Sequence, residues 1–238
     1  MTNSTISGNI ASPGIGGGIY NGHGVPGLVP DSTMTITGSA VVGNSAMSSS
    51  GGGIENRGNL TLLRSTVDDN TAMNCGGGIS NYVGTITLEN ARVSGNTAVC
   101  GGGIANSTGK MTIANSTVSG NTATINGGGI LNAPNLISPG PTLLTIVGSS
   151  IRGNTAPNGG GVINFGTLTF VSPATVIGAN IGTNGGGLLQ VPTTPVSGSV
   201  TGGCPTILGQ GVPPSTTLIG FVKYSPTNIP TDYSGFTC

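Results

Sequence analysis

Hydrophobic and polar residues alternate along short segments of the chain, and these segments return at a nearly constant spacing. In one repeat the segments are 77–80, 85–88 and 91–94, and Gly or Asn separates them. A period of two places Ile86 and Leu88 on one face and their neighbours on the other. The segments are too short and too rich in β-branched residues for helices. The pattern therefore predicts three short β-strands in each repeat.

A six-residue unit marks each repeat: three glycines, an aliphatic residue, any residue and then an amide. Its seven copies begin at Gly16, Gly51, Gly76, Gly101, Gly127, Gly159 and Gly185. A period near 25 residues is typical of a solenoid, whose turns bury their apolar sides only by stacking on one another. We predict an all-β fold, a right-handed parallel β-helix of seven to eight turns over residues 1–190. Residues 191–238 are rich in proline and are predicted to form a C-terminal cap that covers a strand edge.

The amide of each unit shares the parity of the buried aliphatic residue, so its side chain is predicted to point inward. There it can satisfy backbone groups at a bend and bond to the amides of neighbouring turns. We interpret these residues as a structural ladder rather than a ligand site: Asn21, Asn56, Asn81, Asn106, Asn132 and Asn164, with Gln190 in the last copy. The glycine triplets fit a sharp corner. A phosphate-binding loop would need a helix N-terminus and usually a lysine, which this pattern lacks.

Companion strings precede the units by a few residues, at 4–9, 65–70 and 116–121, where the chain reads STISGN, STVDDN and STVSGN. With the glycine units, they resemble the right-handed parallel β-helix repeat proteins of bacterial surfaces, in the broad pectin-lyase-like superfamily. The resemblance covers residues 1 to about 190. It implies the fold, but its members include polysaccharide lyases and hydrolases, autotransporter passengers and adhesins, so it leaves the function open.

The four cysteines indicate two disulfides. Cys75 and Cys100 occupy equivalent places 25 residues apart, so stacking puts their Cα atoms about 4.8 Å apart, within the range of a disulfide. Cys204 and Cys238 are predicted to tie the C-terminal segment. Zinc is the rival interpretation, but no CxxC or nearby His supports it. Two disulfides predict an extracellular or cell-surface protein, and the lack of a secretory signal then indicates a mature or partial sequence.

Composition narrows the classes of partner. Charged residues make up 5% of the chain, aromatic residues 3%, and the net charge is zero. Nucleic acid and anionic membrane surfaces are therefore not predicted partners, and no apolar run reaches the roughly 18 residues of a membrane span. The core must consist of stacked Ile, Val and Leu side chains.

An enzyme of the β-helix class would use clustered carboxylates and a base. Seven of the twelve charged residues are Glu55, Arg57, Arg64, Asp68, Asp69, Glu89 and Arg92. Alternation predicts that three of them, Arg64, Asp68 and Arg92, form an exposed salt-bridge cluster, which accounts for them without catalysis. His23, the single imidazole, lies in an insertion at residues 22–31, and a second insertion covers residues 133–141. We predict no catalytic residue, no metal site and no cofactor.

One column of outward threonines recurs on the middle strand: Thr35, Thr61, Thr87, Thr112, Thr145 and Thr169. A flat ice-binding face would need such a column, but the neighbouring column is interrupted at Lys110 and Leu143. The favoured hypothesis is a non-enzymatic, extracellular or cell-surface structural protein, adhesin-like, which associates with itself through its ends or flat faces or binds a surface polysaccharide. The alternatives are a polysaccharide lyase or hydrolase and an ice-binding protein.

Overall fold

The structure, a computed structural model, describes residues 1–22, 32–134, 140–171, 174–190, 199–202, 206–207 and 223–224. These residues form a parallel β-solenoid of about six turns, and they contain no helix. Equivalent residues of turns without an insertion are 25 or 26 positions apart. The all-β prediction with parallel strands stacked as a solenoid is confirmed, although the described residues form about six turns rather than the predicted seven to eight.

Four sheets run along the solenoid, and the chain visits them in the order 1, 2, 3, 4 in each turn, although the later turns form no strand in sheet 4. Sheet 1 follows the glycine triplets and has seven strands: Ile19–Asn21, Ile54–Asn56, Ile79–Asn81, Ile104–Asn106, Ile130–Asn132, Val162–Asn164 and Leu188–Gln190. Sheet 2 has seven: Thr33–Thr37, Asn59–Leu63, Thr85–Glu89, Lys110–Ala114, Leu143–Val147, Thr167–Phe170 and Ser199–Gly202. Sheet 3 has nine: Thr5–Ser7, Ala40–Val42, Thr66–Asp68, Arg92–Ser94, Thr117–Ser119, Ser150–Arg152, Val176–Gly178, Thr206–Ile207 and Lys223–Tyr224. Sheet 4 has five: Ile10–Ala11, Ser45–Ala46, Thr71–Ala72, Thr97–Cys100 and Thr122–Asn126.

Sheets 1 to 3 are the three strands per turn that the alternation predicts. Sheet 4 consists of a fourth, shorter strand per turn, which the three-strand prediction did not include. Its strands have as few as two residues, too few for a visible alternation. Beyond Thr122 this sheet continues as single bridges, Thr122 to Thr155 and Thr155 to Ile181.

The core consists of columns of aliphatic side chains that stack on one another from turn to turn. Ile54, Ile79 and Ile104 pair in register and are fully buried. Val67 and Val93 do the same on sheet 3. Side chains at positions one period apart therefore contact each other directly, which lets a chain without tryptophan bury a continuous core.

Each glycine of the triplet has its own reason to be glycine. The first has a positive φ, +69° at Gly76, a conformation that favours glycine. The second and third approach neighbouring backbone closely. A Cβ on Gly78 would lie 2.8 Å from the carbonyl oxygen of Gly103 and 2.9 Å from Nδ2 of Asn96, closer than ordinary van der Waals contact. The triplet is therefore a corner packed against the next turn and against an asparagine side chain.

Of the predicted C-terminal cap at residues 191–238, the structure describes only Ser199–Gly202, Thr206–Ile207 and Lys223–Tyr224, which extend sheets 2 and 3. The rest of that segment, with the predicted bridge between Cys204 and Cys238, lies outside the described residues. So do His23 and the central parts of both insertions.

Candidate functional site

The amides of the glycine units form a continuous hydrogen-bonded ladder inside sheet 1. Asn56 donates from Nδ2 to Oδ1 of Asn81 at 2.9 Å, and Asn81 donates to Asn106 at 2.8 Å. The same contact joins Asn21 to Asn56 at 2.7 Å, Asn106 to Asn132 at 2.8 Å and Asn132 to Asn164 at 2.6 Å. Asn56, Asn81 and Asn106 are fully buried. All the bonds point the same way, so each rung donates toward the C-terminal end.

A second asparagine ladder runs between sheets 3 and 4, and sequence reasoning missed it. Asn96 and Asn121 show the pattern: backbone N and side-chain Nδ2 of Asn96 both donate to Oδ1 of Asn121, at 3.0 and 2.9 Å. The ladder comprises Asn9, Asn44, Asn70, Asn96, Asn121, Asn154 and Asn180. The sequence did carry a signal for this ladder, because each of the three companion strings ends on one of these asparagines: Asn9, Asn70 or Asn121.

Serine hydroxyls form a third ladder at the corner between sheets 2 and 3. Ser39 N donates to Oγ of Ser65 at 3.2 Å, and Ser116 N donates to Oγ of Ser149 at 3.0 Å. Ala91 interrupts the column, yet its N still donates to Oγ of Ser116 at 3.0 Å. Asparagine side chains therefore provide the inner hydrogen bonds at two corners of the solenoid, and serine side chains provide them at the corner between sheets 2 and 3.

The predicted disulfide between Cys75 and Cys100 is present, with their Cα atoms 4.5 Å apart. Cys100 pairs in register with Asn126, which starts an outer amide column. Asn158 donates to Asn126 at 3.0 Å, and Asn184 donates to Asn158 at 2.7 Å. The disulfide therefore joins two adjacent turns at the place where later turns use amide hydrogen bonds.

Of the three residues predicted to form a salt-bridge cluster, Asp68 and Arg92 form an ion pair and Arg64 does not take part. Arg92 Nη2 lies 2.5 Å from Asp68 Oδ2, and the Ser94 hydroxyl donates to Asp68 Oδ1 at 2.7 Å. Within the described residues Arg64 makes no ion pair. It lies at a corner with φ +47°, and the alternation used to orient it does not continue across a corner.

Glu55 is an outward residue of sheet 1, yet it is only 2% exposed. Arg57 Nε donates to its Oε1 at 3.3 Å, and the Arg57 guanidinium carbon lies 4.7 Å from the centre of the Tyr82 ring and 6.0 Å from that of Tyr20. Oε2 makes no hydrogen bond with the part of the chain that is described. Burial raises the pKa of the Glu55 carboxyl, and Ser80 and Arg57 oppose that shift.

Glu55 and Asp68 are each engaged by a neighbouring arginine. Throughout the described ranges, no three His, Cys, Asp or Glu side chains come together as a metal site would require. In the same ranges, no helix has the length and apolar character of a membrane span.

Threonines form two outward files, one of which sequence reasoning missed. On sheet 2 the predicted column pairs in register through Thr35, Thr61, Thr87, Thr112, Thr145 and Thr169. On sheet 4, Thr71 pairs with Thr97, Thr97 with Thr122 and Thr122 with Thr155. The second file was missed because the strands that carry it are too short to be recognised from alternation.

A comparison of this sequence with models of protein families, with curated proteins and with solved structures finds no match. The resemblance to bacterial surface β-helix proteins stays a prediction, and the functional argument depends on the geometry alone.

Proposed function

We propose that this chain is a non-enzymatic, extracellular or cell-surface structural protein, adhesin-like, which associates end to end with other copies of itself. The observation that carries the proposal is the row of edge strands in the first described turn of the solenoid. Thr5–Ser7, Ile10–Ala11 and Ile19–Asn21 each lie at the end of their sheet, whereas residues 1–3 bond to the edge of Thr33–Thr37 at Thr35 and Thr37. Edge strands offer unpaired backbone N–H and C=O groups that another strand can bind.

The asparagine ladders make that end directional. Every rung of the two inner ladders, which contain Asn56 and Asn96, donates toward the C-terminal end, so the first rung of each presents its acceptor oxygen at the N-terminal end. Asn9 donates from N and Nδ2 to Asn44, and no described residue donates to its Oδ1. A turn that presents an amide donor and edge strands of the same register would extend both the ladder and the sheets.

The charged residues support a structural role over a catalytic one. Asp68 and Glu55 lie on different sheets, and each is engaged by its own arginine, whereas a lyase or hydrolase needs acid and base groups that converge on one substrate. The disulfide is compatible with an oxidising, extracellular environment. We also propose that the chain belongs to the pectin-lyase-like superfamily and that, as an adhesin, it binds a surface polysaccharide.

The experiment is sedimentation velocity with negative-stain microscopy, comparing wild type with Thr5→Pro. Ser4 and Gly8 bond to the second turn through their backbone groups, so in a parallel strand Thr5 directs its N–H to the open edge. Proline at residue 5 removes that donor and blocks strand addition. We expect elongated assemblies of wild type that Thr5→Pro weakens at least tenfold and that the control Thr5→Val retains. Wild type that stays monomeric from micromolar to millimolar concentration would reject the end-to-end association.

A second candidate function is ice binding through the sheet 2 threonine file, which the in-register pairing of its members favours. Thermal hysteresis that falls on Thr87→Lys would support it, and wild type without hysteresis would reject it.

A further inference from the structure

The outer face of sheet 4 holds an unusual share of the exposed apolar surface. The described residues include nine large hydrophobic side chains that are exposed. Five of the nine lie on the strands of sheet 4 or in line with them: Ile10, Met47, Met73, Ile125 and Ile181. Ile10, Met73 and Ile181 are each more than half exposed, at 69%, 62% and 65%. Such a concentration on one side of a molecule marks a contact surface.

Parity within the strands explains why Ile10, Met47 and Met73 face outward. Ile125 is exposed where a register shift after Ala123 interrupts the alternation. The inward positions of sheet 4 are alanines, and Ala46, Ala72 and Ala98 form a small buried cluster. Their neighbours therefore point out, and Thr71 and Thr97 are exposed. We define the sheet 4 face as two outward files: Ile10, Ser45, Thr71, Thr97, Thr122, Thr155 and Ile181 in the first, and Met47, Met73, Val99 and Ile125 in the second.

The sheet 4 face carries no charge. The turns that form it, all of them described, contain no Asp, Glu, Lys or Arg at residues 9–12, 44–48, 70–74, 96–100, 121–126, 154–158 and 180–184. Two such faces can meet without like-charge repulsion and without the desolvation of an ion. A charged partner would find no counter-charge there, so a second identical face is the better match.

The size of the face sets the strength of the contact. Seven rungs about 4.8 Å apart span roughly 29 Å, and two files about 7 Å apart along the strand make it roughly 13 Å wide with side chains. The buried area is then roughly 400 Å² per copy, about half of the roughly 800 Å² per partner in a standard stable interface. One such contact is weak, but contacts repeated along an end-to-end assembly would act together.

We propose that the sheet 4 face is a side-to-side contact between two copies of this chain. A two-fold axis through the region of Thr97 would place each face against itself, the arrangement of most symmetric pairs. The inference deepens the proposed function by naming the lateral surface, and it rests on the proposal that the chain is an assembling structural protein.

The test is sedimentation velocity on the full chain with Thr97→Lys and the matched control Thr87→Lys. Both threonines are central members of outward files, Thr97 on sheet 4 and Thr87 on sheet 2. Both variants are made in the Thr5→Pro background, so that end-to-end growth does not mask pairing. We expect a weak monomer–dimer equilibrium, at least tenfold weaker for Thr97→Lys and unchanged for Thr87→Lys. Far-UV circular dichroism checks that each variant is folded.

Salt distinguishes a surface effect from a folding defect. Added salt screens the two lysines that Thr97→Lys would bring together, so it should partly restore pairing of that variant. Equal pairing of Thr97→Lys and Thr87→Lys would overturn the sheet 4 contact and leave end-to-end growth untouched. Thr5→Pro protein that stays monomeric at millimolar concentration would also overturn it, whereas loss of wild-type filaments is a separate result that bears on the end-to-end proposal.

Discussion

Asparagine 96 offers the sharpest test of how this solenoid is held together. Its Nδ2 donates to Asn121 Oδ1 at 2.9 Å, to the Val67 carbonyl at 2.9 Å and to the Ser94 carbonyl at 3.0 Å. Its Oδ1 accepts from Asn70 N at 2.9 Å and from Asn70 Nδ2 at 3.0 Å. Asn96→Ala removes all five bonds from a residue that is fully buried.

The magnitude follows from what each partner loses. Asn70 N is left as a buried donor without an acceptor, which costs about 1–3 kcal/mol. Asn70 Nδ2 keeps its bonds to the carbonyls of Val41 and Asp68, so that loss is small. The remaining three bonds contribute about 0.5 kcal/mol each at the low end of the usual range. We expect Asn96→Ala to lower the free energy of unfolding by about 2.5–4.5 kcal/mol.

The assay is equilibrium unfolding in urea, followed by circular dichroism and by a second probe to test whether the transition is two-state. The matched control is Asn59→Ala, because Asn59 is exposed on sheet 2 and its loss should change stability by less than about 0.5 kcal/mol. If Asn96→Ala destabilised the protein by no more than the control, the ladder would not be a principal source of stability and the reasoning would be refuted.

Four further changes test other features. Gly78→Ala places a Cβ against Asn96 and should destabilise by about 1–3 kcal/mol; unchanged urea unfolding would contradict the close approach. Ala179 has a positive φ of +53°, which glycine adopts without strain, so Ala179→Gly should raise the free energy of unfolding by about 1 kcal/mol in the same assay. An unchanged free energy of unfolding would argue against strain at this residue. Cys75→Ser, or chemical reduction, removes the disulfide that closes a loop between residues 25 apart. Either change should lower the free energy of unfolding by about 3 kcal/mol, and equal stability of the oxidised and reduced protein would contradict this. The folded pKa of Glu55 is raised above 4.5, so its contribution to stability is present below the unfolded pKa and is lost as pH rises through the folded pKa. Glu55→Gln should abolish this loss of stability with rising pH, as measured by urea unfolding at pH values on both sides of the Glu55 pKa. Identical dependence of stability on pH in the variant and the wild type would refute the prediction.

The register of sheets 1 to 3 was predictable because the residues that define it recur in the sequence. Gly76 and Asn81 recur at one spacing, and stacking then places Cys75 beside Cys100. Strands of four or five residues, such as Thr85–Glu89, carry enough alternation to show which side chains face inward. The fold and the first disulfide follow from these local signals.

Features that depend on neighbouring turns or on corners were not predictable in the same way. Sheet 4 was missed because strands such as Thr71–Ala72 are too short to show a period. Arg64 was oriented by an alternation that ends at a corner. The burial of Glu55 depends on Arg57 and on neighbours from adjacent turns, which parity within one strand does not reveal.

In-register stacking also explains why so few residues in this chain are charged. A parallel solenoid places each residue against its equivalent one turn away, so a charge repeated in a column would face its own sign. Asparagine and serine carry both a donor and an acceptor, so each can bond to a copy of itself, and aliphatic side chains and threonine pair without repulsion. Asp68 and Arg92 show the alternative, because this pair brings opposite charges together from adjacent turns. The proposed sheet 4 contact would likewise place uncharged columns against each other, and a single lysine in one file is enough to test it.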